Sequence, residues 1–188
     1  FRKIDSESPV SFEDLLALSI RRRSVRWYLP KKVPRDLIDK AIEIAAQSPS
    51  ACNRQPFLFH IIDSPNLVDT VSQLPPGASE FAHNLPVLVV VVGKLRAYFD
   101  ERDRHLIYID AALASMSFML ALETLELSSC PINWPDIEAR ETSIMNHLRL
   151  EPDERPIMLI ALGYPDPEGL VASSKKKSLQ YIRRYNFE

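Results

Sequence analysis

Four residues near the end of the first predicted helix carry side chains that bind phosphate. They are Arg22, Arg23, Ser24 and Arg26. Arginine forks donate paired hydrogen bonds to phosphate oxygens, and a serine hydroxyl can donate to a phosphate or a sugar. If the segment is extended, Arg22, Ser24 and Arg26 point to one face, because side chains alternate along an extended chain. The alternative interpretation is a solvated basic turn.

A second candidate lies between Ser48 and Pro56, where two prolines bracket small and amide-bearing residues. Such a stiff loop presents backbone N–H and C=O groups together with two side-chain amides. These groups suit a planar heterocycle that needs both donors and acceptors. The candidate binding residues of this loop are Pro49, Ser50, Ala51, Asn53 and Gln55. The alternative is an ordinary connection between a helix and a strand.

Two further candidates lie later in the chain. Small residues and prolines follow the longest apolar segment and could lay backbone against the face of a ring; the candidates are Pro131, Ile132, Asn133 and Trp134. Trp134 fits either the core or a pocket wall. Near the C-terminus, Lys175–Lys177 form a second basic cluster, which taken alone is a solvated run. Two basic clusters at opposite ends of a chain of net charge −2 are better explained if they converge on one anion.

Several classes of protein are excluded by composition. The chain has four glycines, and none is placed for a Rossmann dinucleotide loop or a P-loop, so side chains or helix ends must hold any phosphate. The two cysteines and four histidines match no metal or redox motif, which predicts free thiols and no metal site. A net charge of −2 and a pI of about 6.1 argue against a nucleic-acid partner.

The hydrophobic pattern predicts helices and strands in one domain spanning residues 1–188. Predicted helices cover about 11–21, 34–47, 65–73, 106–127 and 135–147. Predicted strands cover 57–62, 87–92 and 157–163, with a short strand or loop at 128–132. This order predicts an α+β fold with a small mixed sheet of three to five strands flanked by helices, and room for a crossover helix between the first two strands.

The predicted helix 106–127 is apolar on nearly every side. Such a helix is buried nearly all round, so we expect a central core helix that also forms a subunit interface. Asp110 and Glu123 interrupt it, and the most apolar run, Leu85–Val92, is far shorter than the roughly 20 residues that a membrane helix needs. We therefore expect no membrane association. No signal peptide is visible, so the expected location is the cytoplasm.

The four candidate segments, in this order and spacing, resemble the nitroreductase family of flavin mononucleotide (FMN) enzymes. The resemblance rests on R-R-S-V-R, S-P-S-A-C-N-R-Q-P, C-P-I-N-W, and I-A-L-G-Y-P followed by K-K-K. It covers about residues 12–180, nearly the whole chain. It implies an intertwined α+β homodimer with the long helix in the dimer core and two FMN sites at the interface.

The resemblance also implies a role for each candidate. The residues facing the phosphate, ribityl chain and pyrimidine of the flavin would be Arg22, Arg23, Ser24 and Arg26. Those contributed by the partner subunit would be Pro49, Ser50, Ala51 and Asn53. Those along the isoalloxazine would be Pro131, Ile132, Asn133 and Trp134. Lys175 and Lys177 would complete the phosphate site, and Lys176 could replace either.

The implied activity is an NAD(P)H oxidoreductase that reduces nitroaromatics, quinones or a related small acceptor in two half-reactions. The flavin carries the chemistry, so no catalytic side chain is nominated, and Arg26 is expected to tune the flavin. The alternatives are a pathway-specific flavin-dependent dehydrogenase on the same scaffold, a flavin-consuming enzyme, and a non-catalytic flavin-binding dimer. The sequence departs from the family where a glycine is common just before C-P-I-N but the chain reads Leu125-Glu126-Leu127-Ser128, and where residues 94–105 are short and charged.

Overall fold

The structure is a computed structural model that describes residues 7–186. Its five helices are α1 (Phe12–Arg21), α2 (Arg35–Ala45), α3 (Pro65–Ser72), α4 (Leu106–Thr124) and α5 (Glu138–Leu148). Its four strands are β1 (Phe57–Ile62), β2 (Val87–Lys94), β3 (Ser128–Asn133) and β4 (Glu154–Gly163). Every predicted helix and strand is present, and short 3-10 turns occupy parts of the connections.

Local sequence accounts for where several helices begin. The hydroxyl of Ser11 accepts a hydrogen bond from the backbone N–H of Asp14 at 3.0 Å and donates to the Asp14 carboxylate at 2.6 Å. This is a capping box with Asp in place of the usual Glu or Gln. Helix α3 begins with Pro65, whose missing N–H costs nothing in a first turn.

The four strands form one sheet in the order β1-β2-β4-β3, and every pairing between them is antiparallel. The predicted mixed sheet with a crossover between β1 and β2 is therefore wrong in this detail. Ile62 at the end of β1 pairs with Leu88 at the start of β2, so residues 63–86 leave and re-enter the sheet at the same end. Among the described residues, the one parallel pairing is the isolated bridge between Ser24 and Ser129.

Strand β2 divides the core into two layers, as expected for a β-branched run buried on both faces. Val87, Val89 and Val91 point toward α2 and α4. The alternate residues of the strand pack in a second cluster together with α3 and α5. The sheet thus lies between two helical layers. Its two edges are β1 and β3, and β3 is the strand that carries Pro131 to Asn133.

Helix α4 is three residues shorter at its C-terminal end than predicted, and it is not buried on every side of the single chain. Its inner side packs against the sheet and α2, while Ile109, Leu113 and Met116 remain 49%, 43% and 39% exposed. The segment Glu101–Thr124 is long and apolar enough to cross a membrane, but the buried core helix of a globular protein meets the same criteria of length and hydropathy. The exposed apolar face is what a helix shared between core and subunit interface would present.

The segment 125–128, which lacks the glycine common in the family, forms the turn at the end of α4. Glu126 has a φ of 61°, in the left-handed region, and the N–H of Leu127 donates to the carbonyl of Leu122 at 3.0 Å. This is the Schellman arrangement, in which the left-handed position is usually glycine. The chain therefore keeps the turn that glycine would favour and carries the strain on a residue with a Cβ.

Candidate active site

The arginine segment lies beside the start of β3. Arg22 leaves α1 in an extended conformation, Ser24 bridges to Ser129, and the N–H of Val25 donates to the carbonyl of Ser129 at 3.0 Å. Val25 is buried, whereas Arg22 and Ser24 are half-buried and Arg26 is exposed. Arg23 is half-buried as well, so burial does not test the predicted alternation, but the bridge brings the first and third candidate segments together.

The charges of this segment act on the buried groups next to it. Burial raises the pKa of the Cys130 thiol, and Arg26, Ser24 and Arg22 oppose that rise. Burial likewise raises the pKa of Glu123, against the opposing influence of Ser128, Arg21 and Arg22. The junction of α1, α4 and β3 is therefore a partly buried basic site with one carboxyl group at its base.

Two buried donors at this junction have no hydrogen-bond partner within the described part of the chain. They are Nε of Arg22 and the hydroxyl of Ser129. Oε1 of Glu123 is a buried acceptor that likewise has no hydrogen-bond partner among the described residues. Buried polar atoms are nearly always paired, and an unpaired one costs about 1–3 kcal/mol. A ligand with phosphate and hydroxyl oxygens would supply the missing acceptors. These residues therefore fit the phosphate and sugar-like chain of FMN.

The β3 segment presents alternate residues to the outside. Pro131 and Asn133 are exposed, Ile132 is buried, and Pro131 lies opposite Ile160 of β4. An exposed edge carrying a proline offers little to another strand, because proline has no N–H to donate. Pro131 and Asn133 are therefore accessible to a flat ligand laid along this edge.

Trp134 combines the two roles that its sequence context left open. It is buried, and its indole Nε1 donates to the Glu141 carboxylate at 2.9 Å. It also lines a cavity of about 470 Å³ together with Tyr108, Arg155 and the carboxylates of α5 and the preceding loop. Trp134 is thus both a core residue and a pocket wall.

The loop from Ser48 to Pro56 is held at the other end of α4. The N–H of Ala51 donates to the Asp110 carboxylate at 3.2 Å, and Asn53 and Gln55 are exposed and hydrogen-bonded to each other. Asp110 and Glu123 are separated along α4 by about 20 Å, at 1.5 Å per residue. Within one chain, this loop and the arginine segment therefore lie near opposite ends of the helix. No hydrogen bond or ion pair among the described residues joins Pro49, Ser50, Ala51, Asn53 or Gln55 to Arg22.

The C-terminal lysines are not brought to the arginines by any contact among residues 7–186. After β4, the chain does run beside the arginine segment, since the N–H of Asp166 donates to the carbonyl of Trp27 at 3.0 Å. The following segment carries Lys175 and Lys177, and both side chains are exposed. The predicted convergence of two basic clusters on one anion stays a prediction.

Three residues of the site region were not singled out as candidates from the sequence. Glu123 lies beneath the arginines, and Asp110 and Tyr98 hold the 48–56 loop. The sequence signal for two of them is that Asp110 and Glu123 are acidic residues in an otherwise apolar helix. Both cysteines are free thiols, with Cys52 exposed and Cys130 buried.

Comparisons with known proteins agree with this geometry. The chain matches the family model "Nitroreductase family" over residues 20–75 and 66–164. A curated relative, "Putative NADH dehydrogenase/NAD(P)H nitroreductase" of Methanothermobacter thermautotrophicus, is 26% identical over 85% of this chain and 81% of its own length. Iodotyrosine deiodinase 1 of Pongo abelii is 21% identical over 86% of this chain and 65% of its own length.

A solved structure shows the same fold. The FMN-dependent nitroreductase from Clostridium difficile R20291 superposes with a TM-score of 0.79, is 21% identical, and is covered over 99% of its length by 92% of this chain. The α+β fold with a long central helix is therefore confirmed, and so is the resemblance inferred from the four segments. With more than half of its length matched by the family model, the chain belongs to the nitroreductase family.

Proposed function

We propose that this member of the nitroreductase family is an FMN-dependent oxidoreductase that uses NADH or NADPH to reduce a small organic acceptor. The observation that carries the proposal is the pair of unpartnered buried donors, Arg22 Nε and Ser129 Oγ, where the arginine segment meets β3. Family membership supports an FMN cofactor and a nicotinamide co-substrate, in agreement with the names of the relatives.

The protein's own residues bind and orient the cofactor. Bound FMN supplies hydride and electron transfer between the nicotinamide and the acceptor. Arg22, Arg23 and Ser24 hold the phosphate and ribityl oxygens, and Arg26 places a positive charge near the pyrimidine, where reduction accumulates negative charge. Pro131 and Asn133, the exposed residues at the end of β3, would lie along one side of the ring system, with Trp134 behind them.

A second copy of the chain completes the site. The exposed apolar face of α4, which includes Ile109, Leu113 and Met116, supports a homodimer built around this helix. In such a dimer, Pro49, Ser50, Ala51, Asn53 and Gln55 reach the flavin bound by the partner's arginines. Lys175 or Lys177, or Lys176 in place of either, closes over the phosphate from the exposed C-terminal segment.

We further propose a ping-pong order in which NAD(P)H binds, reduces the enzyme and leaves before the acceptor takes the same place. Nitroaromatics and quinones are the first acceptors to test. Because iodotyrosine deiodinases are among the relatives, 3-iodotyrosine belongs in the same test. We expect the protein to act in the cytoplasm, without nucleic acid or membrane as a partner.

Rapid mixing under anaerobic conditions tests the function. FMN-loaded protein should lose its flavin absorbance near ~450 nm on mixing with NADH or NADPH. A quinone, a nitroaromatic or 3-iodotyrosine added in a second mix should restore this absorbance. In separate steady-state assays, double-reciprocal plots of initial rate against NAD(P)H at several fixed acceptor concentrations should be parallel. FMN-loaded protein that neither nicotinamide reduces would refute the NAD(P)H oxidoreductase and favour the pathway-specific dehydrogenase.

A further inference from the structure

Asp110 is a buried carboxylate that the proposed reaction does not use. It is 3% exposed on a helix that is otherwise mostly apolar on this side. Its Oδ2 accepts hydrogen bonds from the backbone N–H of Ala51 at 3.2 Å and from the hydroxyl of Tyr98. Acidic side chains are almost never fully buried unless they are paired. The two bonds therefore indicate a role other than filling space.

The loop that Asp110 contacts has an unusual backbone. Cys52, Asn53 and Gln55 have φ values of 53°, 54° and 49°, in the left-handed region that residues with a Cβ disfavour. Three such residues within four positions persist only where surrounding contacts impose the conformation. Bonds inside the loop contribute: the N–H groups of Asn53 and Arg54 donate to the carbonyls of Ser50 and Ala51 at 2.9 and 3.1 Å, and the N–H of Gln55 donates to the hydroxyl of Ser50 at 2.9 Å. Contacts from outside the loop add to this restraint.

Outside contacts reach the loop from two sides. From α4, Asp110 binds Ala51, and the hydroxyls of Ser48 and Ser117 are hydrogen-bonded at 2.8 Å. From residues 94–105, the carbonyl of Ala97 accepts from Arg54 at 2.6 Å. Tyr98 belongs to this second side and links it to the first through Asp110.

The protonation of Tyr98 keeps this link in place. Burial raises the pKa of Tyr98 well above its ordinary value, and its hydrogen bond to Asp110 and the charge of that carboxylate raise it further. The phenol therefore stays protonated and donates throughout the neutral range.

We propose that Asp110, oriented by Tyr98, is a positioning residue that holds residues 50–55 in the conformation that receives the flavin. The inference rests on the proposed function, since the flavin is the ligand that the loop would meet. Preorganising a strained loop before the ligand arrives increases affinity, because the ordering cost is already met in the free protein. The short charged segment 94–105 thereby acquires a function as the anchor of the loop.

Four single variants of the full-length chain test this role. Asp110→Ala removes the acceptor of the Ala51 N–H, and Asp110→Asn keeps an oxygen there. Tyr98→Phe removes the orienting hydroxyl but leaves the carboxylate. Asp63→Asn is the control, because it breaks a bidentate pair with Arg35 on the surface, away from the loop.

Two measurements are compared across these variants: the Kd for FMN from flavin fluorescence, and hydrogen exchange of peptides spanning residues 48–56 in the absence of FMN. We expect Asp110→Ala to weaken FMN binding about 10- to 150-fold, the range typical of a lost hydrogen bond to a charged group. Faster exchange should be confined to this loop and the segment that contacts it. Asp110→Asn should remain within about threefold of the wild type, Tyr98→Phe should be intermediate, and Asp63→Asn should not change either measurement.

Wild-type FMN affinity in Asp110→Ala, or unchanged exchange of residues 48–56, overturns the positioning role. Faster exchange spread evenly over the chain does so as well, because it indicates general destabilisation. If Asp110→Ala does not fold, Tyr98→Phe decides, and wild-type values for it overturn the proposal. Wild-type protein that binds no FMN refutes the proposed function instead, and the exchange data then decide by themselves whether Asp110 holds the loop.

Discussion

Replacing Arg22 with methionine should weaken FMN binding without lowering the stability of the unliganded protein. The change keeps the length of the side chain but removes a guanidinium whose buried Nε has no partner in the described structure. A charge-assisted hydrogen bond contributes about 1.5–3 kcal/mol, so the Kd for FMN should rise by about 10- to 150-fold.

The effect on the unliganded protein is the sum of two opposing contributions. Removing an unpaired buried donor stabilises by about 1–3 kcal/mol. Losing the positive charge that lowers the pKa of Glu123 leaves that buried carboxylate less compensated, which offsets part of the gain. The Tm should therefore stay within about 3 °C of the wild type, or rise slightly, for a chain of this length.

Arg21→Met is the matched control, one residue earlier in the chain. Arg21 Nε is 3.3 Å from Glu123 Oε2; its side chain is 62% exposed, whereas that of Glu123 is 3% exposed. Removing Arg21 should cost about 1 kcal/mol and lower the Tm by about 2–4 °C, because an ion pair with one exposed member is worth little. Its FMN affinity should change by less than about threefold, since Arg21 is not among the residues proposed to hold the flavin.

The assay is a fluorescence titration of FMN with each variant, paired with thermal unfolding of the ligand-free protein. The two neighbouring variants should show opposite patterns: lost affinity with kept stability for Arg22→Met, and the reverse for Arg21→Met. The reasoning would be refuted if Arg22→Met bound FMN as tightly as the wild type, or if its affinity fell only together with its Tm.

Three further changes have signs that the structure determines. Glu126→Gly should raise the free energy of unfolding by about 0.5–1 kcal/mol, because relief of the left-handed backbone exceeds the entropy cost of glycine; a lower Tm would contradict it. Gly163→Ala should lower the free energy of unfolding by about 1–3 kcal/mol, since its Cβ would lie 2.4 Å from Pro86 Cγ and 2.9 Å from Tyr28 Cδ1, and chemical denaturation measures the loss. Burial raises the pKa of Glu123 above its ordinary value of 4.5, so the native state holds the carboxyl proton more tightly than the unfolded state does. The free energy of unfolding should therefore fall as the pH rises from about 4.5 through the raised pKa. A plot of Tm against pH should fall less steeply for Glu123→Gln than for the wild type.

Much of the fold could be predicted from the sequence because the local signals agreed with the final packing. The helical periodicity of 106–127 and the apolar, β-branched run at 87–92 each predict an element that the structure contains. The direction of β1 relative to β2 could not be predicted in this way. It depends on how residues 63–86 fold back to the same end of the sheet, and no periodicity in the sequence records that path.

For the candidate site, the sequence identified segments rather than contacts. The bridge between Ser24 and Ser129 joins two of those segments, which are far apart in sequence, and the roles of their residues toward a flavin stay predictions. The roles of Asp110 and Tyr98 could not be predicted, because they arise from long-range contacts to backbone atoms. The chain has only four glycines, and among the described residues the left-handed backbone positions are occupied by other residues, such as Cys52 and Asn53.

Titration of the purified wild-type protein with FMN tests the central claim most directly. The claim predicts saturable binding of one FMN per chain, two per dimer in size-exclusion chromatography, with a Kd that rises when salt screens the arginine segment. Free riboflavin, which lacks the phosphate, should bind at least about tenfold more weakly. Failure to bind FMN, or equal affinity for FMN and riboflavin, would contradict a flavin site built on Arg22, Arg23 and Arg26.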